Sequence, residues 1–280
     1  MKKIFSTSAA VACLLVSCGD SKMVNSYAEE DKAEEDSAEA LVGDTIHLFD
    51  EDVPPVAADM LFSDFFFNFI DDPKFQAQRV VMPLPLKDGE EVKYLTKGQW
   101  TSINHFLEND YYYVIYEREE DLELQKDTSL SHVSIEWYHL AESTVDKCNF
   151  NRNEGRWMLR DIVRKRIQDT PNANFLDFYT RFVTDSVFQR ESITQPIKLV
   201  LISDDGESEP EVRFVDADEW MEMKEDFPLE SKVLVNMNYG QTCISQNRKT
   251  LMLEGISNGM LTTFRFAKAG EQWHLTEIEY

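Results

Sequence analysis

Glu136 and His139 are the residues of this chain whose types and spacing could support acid–base chemistry. They lie three residues apart in Ser131–Leu140, a segment that the sequence predicts to be a strand. A carboxylate and an imidazole at one site can accept and return a proton near neutral pH. No acid or histidine of the second half of the chain matches either residue, so solvent-exposed strand faces are the competing interpretation. Asp64 is a further acid, but it lies on the predicted polar side of a helix.

Amphipathic aromatic residues are dense in the same region. The candidate ligand contacts are Tyr113, Tyr116, Trp137 and Tyr138. Tyrosine and tryptophan suit sugar or peptide surfaces because the ring is apolar and its polar group can stay in water. The alternative is that alternate members of this group line the core of the protein.

The sequence predicts no metal site and no cofactor. The five histidines show no ligand spacing with cysteine, and Asp204-Asp205-Gly206-Glu207 lacks the oxygen-ligand spacing of a calcium loop. We find no nucleophile elbow, Walker loop or dinucleotide fingerprint. The formal net charge of −24 repels the phosphate backbone, so nucleic acid is excluded as a partner.

The N-terminus has the features of a lipoprotein signal peptide. Lys2 and Lys3 precede an apolar segment, 4–16, that is too short to span a bilayer. The segment ends in Leu-Val-Ser-Cys at Cys18, which resembles the bacterial lipobox. We therefore predict cleavage after residue 17 and lipidation of Cys18, which would anchor the protein to a membrane. The alternative is an ordinary secretory signal in which this cysteine is incidental.

Residues 18–58 form the predicted tether. Residues 19–59 contain 13 acidic side chains and two lysines, with few apolar residues. Such a segment cannot bury enough apolar surface to offset its ordering entropy, so we expect it to be disordered. The expected location is the cell envelope, at the outer membrane, with the periplasmic and surface faces both open.

Two cysteines remain after the signal peptide is removed and Cys18 is lipidated. Cys148 and Cys243 could form a disulfide in an oxidising compartment. They occupy unmatched places in the two halves of the chain, so such a bridge would link one half to the other.

A pattern of aromatic and polar residues occurs twice. Six residues of the first copy recur 113 positions later: Phe65, Phe69, Asp72, Phe75, Gln76 and Pro83. The spacing predicts a helix over 59–81 that Asp71-Asp72-Pro73 interrupts, with Asp59 as N-cap and Asn174 as its counterpart in the second copy. The apolar residues of this helix would form its buried face.

Strands follow the helices in both copies. Asp88-Gly89 and Asp205-Gly206 predict hairpin turns, because both positions accept a positive φ. Each copy ends in a pair of strands with a Trp-x-Leu pattern, at Trp157 and Trp273. Helices followed by an antiparallel sheet define an α+β unit of about 110 residues.

This order of elements, the F-x-x-D-x-x-F-Q spacing and the closing Trp-x-Leu resemble the cone-shaped NTF2-like fold in tandem. The whole chain, lipobox included, resembles an uncharacterised family of Bacteroidota lipoproteins that is defined only as a domain of unknown function. The resemblance implies an α+β fold with NTF2-like domains at residues 59–168 and 172–280. It implies a compartment but no activity, because one fold hosts many functions.

The function that the sequence favours is non-enzymatic. We expect a lipid-anchored cell-envelope protein that binds a small ligand, a glycan or a protein partner. The alternative is an isomerase- or hydrolase-like enzyme with its site in the first cone, around Glu136 and His139. In a third interpretation phenylalanines fill both cones, and the surface between the domains performs the function.

Overall fold

The computed structural model describes residues 59–100, 109–203, 208–229, 232–244 and 246–280. All of them belong to one compact unit. The predicted signal peptide, Cys18, the tether and the Asp205-Gly206 turn lie outside the described residues. Within the described ranges, we find no helix with the length and apolar content needed to cross a bilayer.

The α-helices of the described ranges are short and come in the same order in both halves. They are α1 (Phe62–Asp71), α2 (Pro73–Gln78), α3 (Lys97–Trp100), α4 (Ala173–Thr184), α5 (Ser186–Glu191) and α6 (Ala217–Met223). Short 3₁₀ turns cover Glu119–Lys126, Ile167–Asp169 and Lys224–Asp226. The predicted break between α1 and α2 is confirmed, because the Asp72 carboxylate accepts a hydrogen bond from the Lys74 amide and caps α2.

The predicted N-caps of the long helices are wrong. Leu61 and Asn172 occupy these positions, and neither forms a side-chain cap hydrogen bond. Asp59 instead forms a buried ion pair with Arg79, at 2.9 Å between Oδ2 and Nη2. Asn174 lies inside α4, where its side-chain oxygen accepts a hydrogen bond from Trp273 Nε1. In both cases the side chain that was predicted to cap a helix forms a hydrogen bond with a residue distant in sequence instead.

Twelve strands of the described ranges form one large curved sheet. They are β1 (Leu84–Asp88), β2 (Glu91–Leu95), β3 (Tyr111–Tyr116), β4 (His132–His139), β5 (Thr144–Asn153), β6 (Arg156–Arg166), β7 (Ile193–Leu201), β8 (Glu211–Val215), β9 (Val233–Asn238), β10 (Arg248–Gly255), β11 (Leu261–Ala269) and β12 (Gln272–Glu279). The spatial order is β2-β1-β6-β5-β4-β9-β3-β10-β11-β12-β7-β8. The predicted hairpin at Asp88-Gly89 is confirmed, since it joins β1 to β2 with a φ of +58° at Gly89.

The two halves exchange one strand each at the centre of this sheet. β9, from the second half, pairs antiparallel with β4 of the first half. β3, from the first half, pairs antiparallel with β10 of the second half. β3 and β9 lie side by side and parallel, with Tyr113 opposite Asn236. Consequently, neither half completes its sheet with its own strands.

Two hydrophobic cores lie on the sheet, and the exchanged strands contribute to both. The first core surrounds α1 and includes Phe62, Phe65, Phe66, Phe69, Phe150, Trp157 and Met237. The second core surrounds α4 and includes Phe175, Phe178, Tyr179, Phe182, Phe266, Trp273 and Leu251. β3 alternates between them: Tyr112, Val114 and Tyr116 join the first core, and Tyr113 and Ile115 join the second.

The aromatic packing under α1 and under α4 has the same geometry. Phe62 meets Trp157 edge-on at 5.0 Å between ring centroids, and the corresponding pair Phe175 and Trp273 meets edge-on at 5.5 Å. The Phe65–Phe75 and Phe178–Phe188 pairs both have an interplanar angle of 59°. The phenylalanines that recur in the sequence therefore fill the space between helix and sheet in each half.

Candidate functional site

Glu136, the predicted catalytic acid, is buried and fully hydrogen-bonded. Its carboxylate accepts hydrogen bonds from the Tyr138 hydroxyl at 2.7 Å and from the side-chain amides of Asn236 and Asn238 at 2.9 and 3.0 Å. Lys147 Nζ lies 3.2 Å from the same carboxylate. These donors neutralise the charge and occupy the lone pairs that a general base would need. The hydrogen bonds from Asn236 and Asn238 connect β9 to Glu136 on β4, where the two halves exchange strands.

His139 lies on the opposite face of β4, because residues three apart in a strand point to opposite sides. Its Nε2 is 3.2 Å from Asp146 Oδ2, and Arg164 binds the same carboxylate through two hydrogen bonds. Burial opposes the ionised form of Asp146, but the Arg164 and His139 hydrogen bonds outweigh it and lower the pKa of Asp146 to about 2. The structure therefore does not bring Glu136 and His139 into one site.

The predicted ligand-binding aromatics contribute mostly to the cores. Tyr113, Tyr116 and Tyr138 are buried, and Trp137 packs partly buried against the first core. The Tyr113 hydroxyl donates a hydrogen bond to the Pro228 carbonyl. Their placement agrees with the alternative interpretation, in which alternate members of this group line the core.

Cys148 and Cys243 are free thiols in the structure, so the bridge considered from the sequence is not formed. Cys148 lies on β5 and is fully buried in the first core, where burial raises the pKa of its thiol. Cys243 lies in the loop after β9, and its Sγ is 3.3 Å from the Asn172 side-chain oxygen. The two cysteines therefore have different surroundings: Cys148 lies inside the first core, and Cys243 is half-buried in a loop.

A cavity of about 340 Å³ opens between α1 and the end of β10. Its wall consists of Ser63, Asp64, Phe66, Phe67, Asn68, Tyr112, Glu254, Gly255, Ile256 and Ser257. α1 supplies the first five of these residues: Phe66 belongs to the first core, and the other four are half-buried or exposed. β3 and β10 supply Tyr112 and Glu254, which lie opposite each other in the paired strands.

A tight turn after β10 shapes the edge of the cavity. The Ile256 amide and the Asn258 side chain both donate hydrogen bonds to the Asp110 carbonyl, at 2.7 and 3.1 Å. Asn258 Oδ1 would lie 1.7 Å from a Cβ atom at Gly255, so this close approach requires glycine. The turn is thereby fixed against the residue that precedes β3.

Glu254 gives the cavity its chemical character. Burial raises the pKa of the Glu254 carboxyl, and a hydrogen bond with Tyr112 offsets this only in part. Its Oε2 atom is buried and accepts no hydrogen bond from the described part of the chain. Burial likewise raises the pKa of the Tyr112 and Tyr239 hydroxyls, which lie close to the same carboxylate. The cavity wall thus holds a half-buried carboxylate beside the Tyr112 phenol, and Tyr239 lies close to the same carboxylate but is not among the lining residues.

On the side of the second core, a lysine neutralises a buried carboxylate. Glu117 Oε1 lies 2.9 Å from Lys249 Nζ, and their side chains are 3% and 1% exposed. Lys249 Nζ also donates a hydrogen bond of 2.9 Å to Asn172 Oδ1. This pair neutralises the carboxylate of the second core, whereas Glu254 forms no salt bridge within the described residues. Lys249 and Glu254 both lie on β10, so this contrast is between the two cores and not between the two halves of the chain.

Two further cavities lie along α4. One has a volume of about 310 Å³ beside Trp273, and the other, about 750 Å³, lies between α4 and the turn that joins β4 to β5. Asp177 and Arg181 line both, on the exposed polar face of the helix. In the described part of the chain, no group of three or more His, Cys, Asp or Glu residues could hold a metal ion.

The comparisons with known proteins place the chain in a family. Residues 43–280 match the model of DUF4348, a domain of unknown function. The chain belongs to this family. It is also similar to a crystal structure of an NTF2-like protein from Bacteroides fragilis, with 35% sequence identity and a TM-score of 0.73 over 81% of this chain and 98% of the other. No curated protein matches the chain.

These findings confirm the expected family and the NTF2-like α+β fold. Proteins with NTF2-like folds bind ligands or act as enzymes, so the fold does not identify the activity of this DUF4348 protein. Sequence reasoning missed Glu254 as a candidate residue. The available signal was its position at the end of an apolar strand, Leu251-Met252-Leu253, where a carboxylate is costly to bury.

Proposed function

We propose that this protein is a lipid-anchored protein of the bacterial cell envelope that binds a small ligand in the cavity at Glu254, without catalysing a reaction. The observation that carries the proposal is the buried Glu254 oxygen on the cavity wall, which has no hydrogen-bond donor among the described residues. A ligand that donates a hydrogen bond to the Glu254 carboxylate would offset the cost of this oxygen. A buried acceptor without a donor is costly, so this site is suited to gain free energy on binding.

A second candidate function is catalysis by a carboxylate and a phenol. Glu254 has a raised pKa and lies beside Tyr112, and such a pair can act as base and hydrogen-bond donor in isomerase-type reactions. This possibility replaces the one predicted at Glu136 and His139. Binding is favoured over catalysis because none of the described residues that line the cavity is a histidine, cysteine or lysine. Turnover of a bound ligand, abolished by Glu254→Gln, would favour the enzyme.

The proposed anchor is a lipid on Cys18. The Leu-Val-Ser-Cys sequence supports it, and the acidic segment 18–58 would hold the folded unit away from the membrane surface. We further propose that the two halves arose by internal duplication. The matching ring geometry under α1 and α4 supports this origin.

The ligand proposal is tested by a thermal-shift screen of the purified full-length protein against glycans, peptides, sterols and lipids. A ligand that binds only the folded state raises Tm with its concentration. Asn68→Trp should fill the cavity and abolish the shift, because Asn68 lies on its wall. Asp71→Trp is the control, since Asp71 is an exposed residue of α1 outside the cavity. Ligand shifts that survive Asn68→Trp would place the binding site elsewhere.

The anchor is tested by Cys18→Ser, with Cys13→Ser as a matched control in the same N-terminal segment. Cys18→Ser should leave the precursor uncleaved. The variant should also no longer incorporate radioactive palmitate, because the lipidated cysteine is missing. Cys13→Ser should be processed and labelled normally. A Cys18→Ser protein that is still labelled and cleaved would contradict the proposed lipid anchor.

A further inference from the structure

The charged residues that the structure describes on the wall of the Glu254 cavity are acidic. They are Asp64 and Glu254, and none of the described lining residues is lysine, arginine or histidine. A ligand that enters this cavity therefore meets an electrostatic potential that favours cations and repels anions.

Glu254 is half-buried, and its partners differ from those of the more deeply buried carboxylates of the described ranges. Buried acids elsewhere pair with a basic side chain: Asp59 with Arg79, Asp121 with Arg118, Glu136 with Lys147, Asp146 with Arg164 and Glu117 with Lys249. In the described part of the chain, Glu254 interacts only with the Tyr112 and Tyr239 hydroxyls. Burial of a charge without an opposite charge is unfavourable, so a cation bound beside Glu254 would offset this cost.

Aromatic rings form the apolar part of the same wall. Phe66 and Tyr112 are buried beside the cavity, and their rings meet edge-on at 6.3 Å between centroids. Phe67 is 40% exposed, which is unusual for a phenylalanine in the middle of an amphipathic helix. The faces of such rings attract ammonium groups and also stack against apolar ligand bodies.

The volume limits the size of the ligand. A cavity of about 340 Å³ is at the small end of the range for ligand sites. Since a water molecule occupies roughly 30 Å³, the cavity has room for on the order of ten non-hydrogen atoms.

We infer that the ligand of this cavity is a small organic cation, with an ammonium group that pairs with Glu254 and an apolar body that contacts Phe67 and Tyr112. This inference rests on the proposed function, of which it names the ligand class. It accounts together for the acidic wall, the unpaired carboxylate and the exposed phenylalanine.

The test compares a cation with a neutral molecule of the same shape. The full-length protein is titrated by calorimetry at pH 7.5 with 2-phenylethylammonium and with 2-phenylethanol, which differ in charge but not in the ring. The cation should bind at least about tenfold more tightly. Glu254→Gln should remove this preference, whereas Glu211→Gln, at an exposed position on β8, should retain it.

The ring contact has its own matched pair of variants. Phe67→Ala should weaken binding of the cation several-fold, because its ring lies on the cavity wall. Phe214→Ala removes a phenylalanine that is 64% exposed on the edge strand β8, and it should leave binding unchanged. A cooperative thermal unfolding transition in each of the four variants would show that all of them are folded.

Three results would overturn the inference. Equal affinities for the cation and the alcohol, a preference for the cation that survives Glu254→Gln, or no binding of the cation at millimolar concentration would each exclude an organic cation as the ligand. Binding of the alcohol that Asn68→Trp abolishes would exclude the cation but leave the proposed binding function intact. Absence of binding by both probes, together with an empty thermal-shift screen, would overturn the binding function as well.

Discussion

At the scale of single residues, the distinction between Glu136 and Glu254 decides where chemistry can occur. Both are acids on central strands, and the sequence pointed to Glu136 because His139 and several tyrosines are near it. In the structure, Asn236 and Asn238 saturate the Glu136 carboxylate, and they lie about 100 residues away in sequence. A single sequence does not show such partners. It shows which residues can carry charge, but not which charges are already neutralised.

The raised pKa of Glu254 predicts a pH-dependent effect of Glu254→Gln. The folded state binds this proton more tightly than the unfolded chain, so ionisation of Glu254 destabilises the fold as pH rises through the folded pKa. Removal of the charge should therefore increase the free energy of unfolding at pH 7, by less than about 2 kcal/mol because water still reaches the group.

The measurement is urea denaturation of wild type and Glu254→Gln at pH 7 and pH 4. The difference between the two proteins should shrink at pH 4, where the carboxyl is protonated. Glu211→Gln serves as the control and should show little change at either pH. A Glu254→Gln variant that is less stable than wild type at pH 7 would mean that the carboxylate has a partner.

At the scale of elements, local signals were reliable where the chain itself fixes the geometry. Asp72-Pro73 ends one helix and begins the next, and Asp88-Gly89 forms the expected hairpin turn. The caps were less predictable, because a polar residue before a helix can also bond to a distant group. Asp59 does so: it accepts hydrogen bonds from Arg79 and from the Trp157 amide, and thereby ties the helices to β6.

Asp59→Ala should strongly destabilise the first half of the fold. It would leave the Arg79 guanidinium buried without a counter-charge, which typically costs about 3–5 kcal/mol. Asp169→Ala is the comparison, since the Arg166–Asp169 pair is exposed and should contribute little. Equilibrium unfolding in urea measures both variants. Similar small effects for the two would contradict the structural role of the Asp59–Arg79 pair.

At the scale of the whole molecule, the strand exchange is the feature that sequence analysis did not anticipate. The repeats, their order and the α+β class could be recognised, because each depends on local periodicity. The pairing of β4 with β9 and of β3 with β10 depends on contacts between residues more than 90 positions apart. Both cores draw residues from both halves, so the predicted division near residue 170 separates sequence repeats that share one sheet.

The exchange predicts that the halves depend on each other to fold. Residues 59–168 expressed alone would lack β9 beside β4 and β10 beside β3, and their unpaired edges would be exposed. We expect this fragment to lack a cooperative unfolding transition in circular dichroism, and an equimolar mixture with residues 169–280 to restore one. A monomeric 59–168 fragment with a sharp transition of its own would contradict this dependence.

The ionisation of Glu254 in the intact protein tests most directly whether its carboxylate lacks a cationic partner in the free protein. Carbon-13 NMR of glutamate-labelled protein follows the side-chain carboxyl through a pH titration, and the missing signal in Glu254→Gln assigns it. We predict a Glu254 pKa above the ordinary glutamate value of about 4.3 in the free protein, because burial opposes the ionised form and no described residue of the cavity wall is a cation. Saturation with 2-phenylethylammonium should lower it. A Glu254 pKa at or below the ordinary value in the free protein would contradict the account, since the carboxylate would then already be paired or hydrated.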